Sequence, residues 1–191
     1  VLGRLPEALT ATQVLRAPGR PVPPEILRPL IRAARETRRV EVDYVSLSAP
    51  DREGRIIVPH TLVWTGQRWH LRGWCEKNQA YRDFVLSRFR GEPELLGISD
   101  HTDREDTEWH TWVEIAIAPD PRLTPAQQGV VAHDYGMMDN QWLLSVRAKL
   151  LPYYLKLLQI DPQDIKADAK AQQLVILNPR DLDPWLFSGA V

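Results

Sequence analysis

Val40, Val42 and Tyr44 are separated by Glu41 and Asp43. That period of two predicts a strand with one buried face. Before it, Leu30, Ile31 and Ala34 are interleaved with Arg32, Arg35, Arg38 and Arg39, the pattern of an amphipathic helix. Pro23-Pro24 opens this helical stretch, and Pro29 is read as the first-turn proline of its main part. Ala49 to Gly54 is a polar turn. Ile56, Val58, His60, Leu62 and Trp64 then fall on one face of a second strand, where Pro59 marks an edge or a bulge. Gly66-Gln67 turns the chain into a third strand, Arg68 to Trp74. There Trp69 and Leu71 share one face, and His70, Arg72 and Trp74 the other. Glu76 to Ala80 is a hairpin loop, and Tyr81 to Phe89 is a further strand. One helix followed by four or five short, bent strands reads as a small SH3-like or Sm-like unit.

Residues 100–108 are a polar linker between two units. Beyond it, Val113, Ile115 and Ile117 form a strand, and Thr124-Pro125 caps a helix running to His133. Trp142 to Val146 is a strand, Leu150 to Leu158 a helix starting near Pro152, and Leu174 to Leu177 a last strand. The order β-α-β-α-β predicts a small sheet with helices on one face, so the whole chain is of the α+β class. The expected organisation is a linker over 1–22, a first domain over 23–99, the polar linker over 100–108 and a second domain over 109–191. Residues 1–22 contain Pro6, Pro18, Pro21, Gly3 and Gly19, and the first residue is Val1 rather than Met. The expectation is a piece of a longer protein whose N-terminal part is missing.

Charge is placed unevenly. Eight Lys or Arg residues oppose four Asp or Glu residues over 51–90, a balance of +4 in a chain of net charge −1. Eleven acidic residues oppose two arginines over 91–140, a balance of −9. Any anionic partner of these residues is therefore expected at 51–90. The apolar runs are too short to span a bilayer, so no membrane association is expected. The single Cys75 excludes an internal disulfide and fits a reducing cytoplasm. Ser87 and Cys75 lack an assigned base, no glycine-rich phosphate loop is present, and His60 and His70 lack a third ligand at metal-site spacing. No catalysis, cofactor or metal is expected. Arginines grip phosphates bidentately, which makes Arg82 and Arg88 the first candidates for an anion site. Six residues of straight strand span about 20 Å, so either the strand bends or the two arginines contact successive phosphates. Trp74, beside Arg72, is the expected exposed stacking platform, whereas Trp69 is expected in the core.

Several short motifs fall together. Trp69-His70-Leu71 is preceded by Tyr44-Val45-Ser46 and Val58-Pro59-His60, and followed by Tyr81-Arg82-Asp83-Phe84 and Leu86-Ser87-Arg88. Over residues 24–99 the chain resembles the WYL domain, with His70 where the family carries its tyrosine. The resemblance implies a closed small barrel, a C-terminal extension and an absent N-terminal winged helix-turn-helix domain that binds operator DNA. The proline-rich lead-in and the stretch PPEILRPLIRAARE resemble the repressors encoded beside phage-defence systems of the BREX and CBASS kinds. The implied pocket draws on Tyr44, Ser46, His60, Trp69, His70, Arg72, Arg82, Phe84, Ser87 and Arg88. Its implied ligand is a nucleotide or single-stranded nucleic acid. A homodimer is expected; Trp142, Leu144 and Tyr153-Tyr154 either cross to the partner or form the second unit's own small core. Two rival readings stay open at this point: a constitutive single-strand-binding module, and a domain that binds only protein.

Overall fold

The computed structural model describes residues 18, 20–47 and 50–186. Most of the expected N-terminal linker and Ala49 lie outside the described residues. The helix α1 (Pro24–Glu36) places Pro24 in its first turn, where the missing N–H has no intrahelical partner to lose. It therefore starts before Pro29, which lies inside the helix. Ile26, Leu30 and Ala33 form its buried face, and Thr37 ends it in the left-handed conformation.

Five strands follow: β1 (Arg38–Tyr44), β2 (Glu53–Trp64), β3 (Trp69–Cys75), β4 (Ala80–Val85) and β5 (Phe89–Ile98). They form one antiparallel sheet in the order β4-β3-β2-β1-β5. Val40, Val42, Ile57, Leu71, Phe84 and Phe89 pack with α1 into a single core. The expected closed barrel is corrected: among the described residues β4 and β5 are the two sheet edges and do not pair. What joins the two ends is a 3-10 turn, Leu86–Arg88, braced by Tyr44. The Val85 N–H donates to the Tyr44 hydroxyl at 3.0 Å. The Tyr44 ring meets Phe84 and Phe89 edge-on, each with centroids 5.2 Å apart, a favoured aromatic geometry.

The expected single face of β2 is also corrected. Pro59 pairs with Gly73 and Thr61 with Arg72, so His60 is the extra residue of a bulge. The bulge turns the side-chain alternation over, and Ile57 and Leu62 face the same core. Pro59 and Gly73 oppose each other because only glycine leaves room there. A Cβ at position 73 would lie 2.5 Å from the Val58 carbonyl oxygen and 2.7 Å from Pro59 Cα.

The second unit begins with α2 (Thr107–His110) and continues through β6 (Trp112–Pro119), α3 (Pro125–Asp134), β7 (Trp142–Arg147), α4 (Leu151–Leu157), β8 (Leu174–Ile176) and α5 (Pro179–Leu182). Its sheet is antiparallel, in the order β7-β6-β8. Thr124 caps α3 with Pro125 in its first turn, as expected, and Gln127 completes a capping box with it. Ile115, Ile117, Val146 and Leu174 meet Val131, Leu151, Leu155 and Leu182, so the helices cover one face of this sheet. Trp142 and Leu144 pack against that core, the alternative to a partner-facing role that the sequence leaves open for them. No helix among the described residues is long and apolar enough to cross a membrane.

Gly73→Ala is expected to lower stability by about 1–3 kcal/mol, because the added methyl meets backbone that cannot rotate away. A denaturant midpoint unchanged from wild type would contradict this packing.

Candidate functional site

On β3, His70, Arg72 and Trp74 face away from the first core and toward residues 101–110 and α4. Arg72 is 1% exposed. Its Nε donates to Asp106 Oδ2 at 2.5 Å and its Nη2 to Asp106 Oδ1 at 2.8 Å, the bidentate geometry that suits guanidinium and carboxylate. Its Nη1 reaches Asp83 at 3.2 Å and its Nη2 reaches Glu108 at 3.4 Å. Asp106, also 1% exposed, accepts the Trp109 N–H at 3.2 Å and so caps α2. His60 Nε2 lies 3.1 Å from the same carboxylate. Burial alone pushes the Asp106 carboxyl up, but the bonds from His60 and Arg72 outweigh it and hold the group at about 2. Burial likewise works against charge on Arg72, and Asp106 and Asp83 outweigh it, so its pKa is raised. The two units are thus joined by a buried ion pair with its hydrogen bonds satisfied.

Beside this pair is a cavity of about 230 Å³. Arg68, His70 and Arg72 line it from the β2–β3 hairpin, with Asp83 from β4 and Arg88 from the 3-10 turn. Lys149 and Tyr153 line it from the second unit. Lys149 is held by Glu108 at 2.8 Å. Among the described residues Arg68 and Arg88 form no ion pair. His70 is 4% exposed, its ring meets Tyr153 edge-on at 5.1 Å, and neither of its nitrogens has a hydrogen-bond partner among the described residues. Burial, then Arg68 and Arg88, push the His70 pKa down to about 4. Burial and then Asp83 push the Tyr153 hydroxyl up to about 12.

The ten residues expected at the pocket separate into groups. His70, Arg72, Arg82 and Arg88 line it. The bend at residues 86–88 is what brings Arg82 and Arg88 to one cavity rather than along a straight strand. Arg82 pairs in register with Gly73 and Asp83 with Arg72, so Arg82 leaves β4 on the opposite side from Asp83 and reaches only the exposed rim. Tyr44 and Phe84 are corrected to core residues, at 5% and 3% exposure. His60 is bound into the Asp106 network rather than the cavity. Trp69 is corrected from core to surface: it is 45% exposed and leans on Trp64 across the hairpin tip, ring centroids 5.4 Å apart. Trp74, the expected platform, is half-buried and stacked on His101 at 4.1 Å. Ser46 and Ser87 are half-buried and outside the cavity lining.

Sequence reasoning missed Asp106, Arg68, Asp83, Lys149 and Tyr153. For Asp106 a signal existed: an Asp three residues before Trp109 is a helix N-cap pattern, lost among the charges of the linker. For Tyr153 and Lys149 no local signal exists, because they reach the cavity beside His70 and Arg72 only through the packing of the two units.

Asp106→Ala is expected to cost about 3–5 kcal/mol, since it strands the buried Arg72 charge. The native Asp106 pKa is below its ordinary 3.8, so its contribution is present above that pH and is lost as pH falls through about 2. Thermal melts from pH 5 to pH 2 should therefore fall more steeply for the native chain than for Asp106→Ala. Parallel curves would contradict the assignment.

Comparison with known proteins fits this geometry. The WYL domain model matches residues 25–91, and that of the BrxR transcriptional regulator C-terminal dimerization domain matches residues 112–182. The DNA-binding transcriptional repressor CapW of Stenotrophomonas maltophilia is 31% identical over 92% of this chain and 59% of its own length. CapW of Pseudomonas aeruginosa is 36% identical over 84% of this chain and 53% of its own, and CapW of Escherichia coli is 34% identical over 83% and 52%. The chain thus spans a little over half the length of the curated relatives it matches. The first unit belongs to the WYL domain family, and the second to the C-terminal dimerization domain family of BrxR transcriptional regulators.

Proposed function

We propose that this chain is the ligand-sensing and dimerising part of a cytoplasmic transcriptional repressor of a phage-defence operon. The observation that carries the reading is the cavity walled by Arg68 and Arg88 and closed by Lys149 and Tyr153 of the dimerization unit. Arginines without carboxylate partners, half-buried beside a buried imidazole, suit a phosphate-bearing ligand such as a nucleotide or single-stranded nucleic acid. A ligand seated there touches both units. It biases their arrangement only by binding one arrangement more tightly than another, and that difference is the signal. Operator DNA is read by a winged helix-turn-helix domain on the N-terminal side. The CapW relatives, about half of whose length lies outside the match, support this.

The dimer surface is the bare face of the β7-β6-β8 sheet. Leu143 is 56% exposed and Leu177 48%, and both flank Ala116 in the middle of that face. Helices cover the other face, so a second copy is the partner that this unit's family supports. One observation favours the rival reading of constitutive single-strand binding. Trp64 and Trp69 expose 52% and 45% of their surface at the hairpin tip, next to Arg68. That rival predicts salt-sensitive affinity for long strands, with binding that ignores changes in the cavity.

Titration of the intrinsic tryptophan fluorescence with a short 5′-phosphorylated single strand tests the sensor. Arg68→Ala with Arg88→Ala is expected to weaken binding at least about tenfold, the loss of one charge-assisted hydrogen bond or more. Unchanged affinity would move the site out of the cavity. Leu143→Asp is expected to give a monomer by light scattering, and a persistent dimer would move the interface elsewhere.

A further inference from the structure

His70 is almost completely buried, yet both ring nitrogens lack partners among the described residues. Buried polar atoms are nearly always hydrogen-bonded in folded proteins, so each exception calls for an explanation. The ring forms part of the cavity wall, between Arg68 at the hairpin tip and Arg88 in the 3-10 turn, with Tyr153 edge-on from α4.

Charge in the cavity specifies the ligand further. Arg72 and Lys149 are committed to Asp106, Asp83 and Glu108. Arg68 and Arg88 are not committed to any described carboxylate, which leaves two positive charges beside the imidazole. Counting Arg82 at the rim, the cations Arg68, Arg72, Arg82, Arg88 and Lys149 stand against Asp83, Asp106 and Glu108, a net balance of +2. The cavity volume is about 230 Å³, below the roughly 300 Å³ at which sites for whole small molecules begin. It suits a compact group carrying two charges rather than a whole dinucleotide.

We infer that the cavity takes a terminal phosphate, as borne by a mononucleotide or by the end of a nucleic-acid strand, and that His70 hydrogen-bonds it and takes up a proton as it binds. This rests on the ligand-sensing reading above and names its ligand chemistry. A terminal phosphate carries close to two negative charges at neutral pH, whereas a bridging phosphate carries one. In the unliganded chain His70 is neutral at pH 7, because burial and the two arginines hold its pKa near 4. A dianion between those arginines cancels their repulsion, raises the His70 pKa and draws a proton from water. Affinity then rises as pH falls. Asp83, the nearest carboxylate on β4, is held by Arg72 and does not supply that charge in its place.

Calorimetric titration in two buffers of different ionisation heat, at pH 7.5 and pH 6.5, counts the protons taken up. The probes are a 5′-phosphorylated oligonucleotide, the same strand with a 5′-hydroxyl, a nucleoside monophosphate and inorganic phosphate. The phosphorylated strand is expected to bind at least tenfold more tightly than its hydroxyl counterpart. The wild type is expected to take up more protons than His70→Gln, whose amide can hydrogen-bond but not titrate. The ligand's own titration near pH 6 is common to both and cancels. Equal proton uptake in the two chains, or equal affinity for the two strand ends, would overturn the inference while leaving a sensor intact. No binding of any probe would overturn the sensor reading itself. Should His70→Gln fail to fold, nitrogen-resolved NMR of the wild-type histidines gives the same answer. An imidazole that stays neutral with the phosphorylated strand bound contradicts the inference.

Discussion

A guanidinium removed from water costs several kcal/mol, and Arg72 bears that cost on β3, between β2 and β4, where Asp83 of β4 offsets it only in part. Asp106 supplies the bidentate part of the offset from outside the first unit, at the start of α2. The position of the second unit follows from this pairing. With Asp106 fixed under Arg72, α2 is capped, Trp109 is buried against Arg147, and Glu108 is placed to hold Lys149. Tyr153 then falls on His70. A buried ion pair adds little net stability compared with an apolar contact of the same shape, but it tolerates one geometry only. Its value here is orientation.

Orientation is what the proposed sensor requires. The cavity is not contained in the WYL unit alone, because two of its lining residues come from the dimerization unit. Ligand free energy can therefore act on the relation between the units without deforming either core. The arginines that matter most for charge are those beside His70. The bend at residues 86–88 delivers Arg88, the hairpin tip delivers Arg68, and both stay clear of the acidic residues that neutralise Arg72. A WYL-type pocket with histidine in place of tyrosine exchanges a hydroxyl for a group that can change charge.

Local patterning made most strands and helices legible, including the Thr124-Pro125 start of α3 and the Gly66-Gln67 turn. It failed where one residue altered the register. The His60 bulge reversed the faces of β2, and no hydrophobic count could locate it, although Pro59 marked the place. The candidate site was half legible. His70, Arg72, Arg82 and Arg88 could be picked out because cations and aromatics crowd one segment. Tyr44 and Phe84 were drawn into that list by motif adjacency, while their apolar rings belong to the core. Asp106 was hidden among exposed acidic neighbours, since burial of a single carboxylate in a charged run leaves no compositional trace. Tyr153 meets His70 from 83 residues further along the chain, and Lys149 is brought to the cavity beside it, which only the packing of the two units creates.

The most direct test of this account is differential scanning calorimetry of the chain at neutral pH. If the Arg72–Asp106 pair joins the two units into one cooperative structure, a single transition is expected, with calorimetric and van't Hoff enthalpies in agreement. Two resolved transitions, or a calorimetric enthalpy well above the van't Hoff value, would show that the units unfold independently and would contradict it.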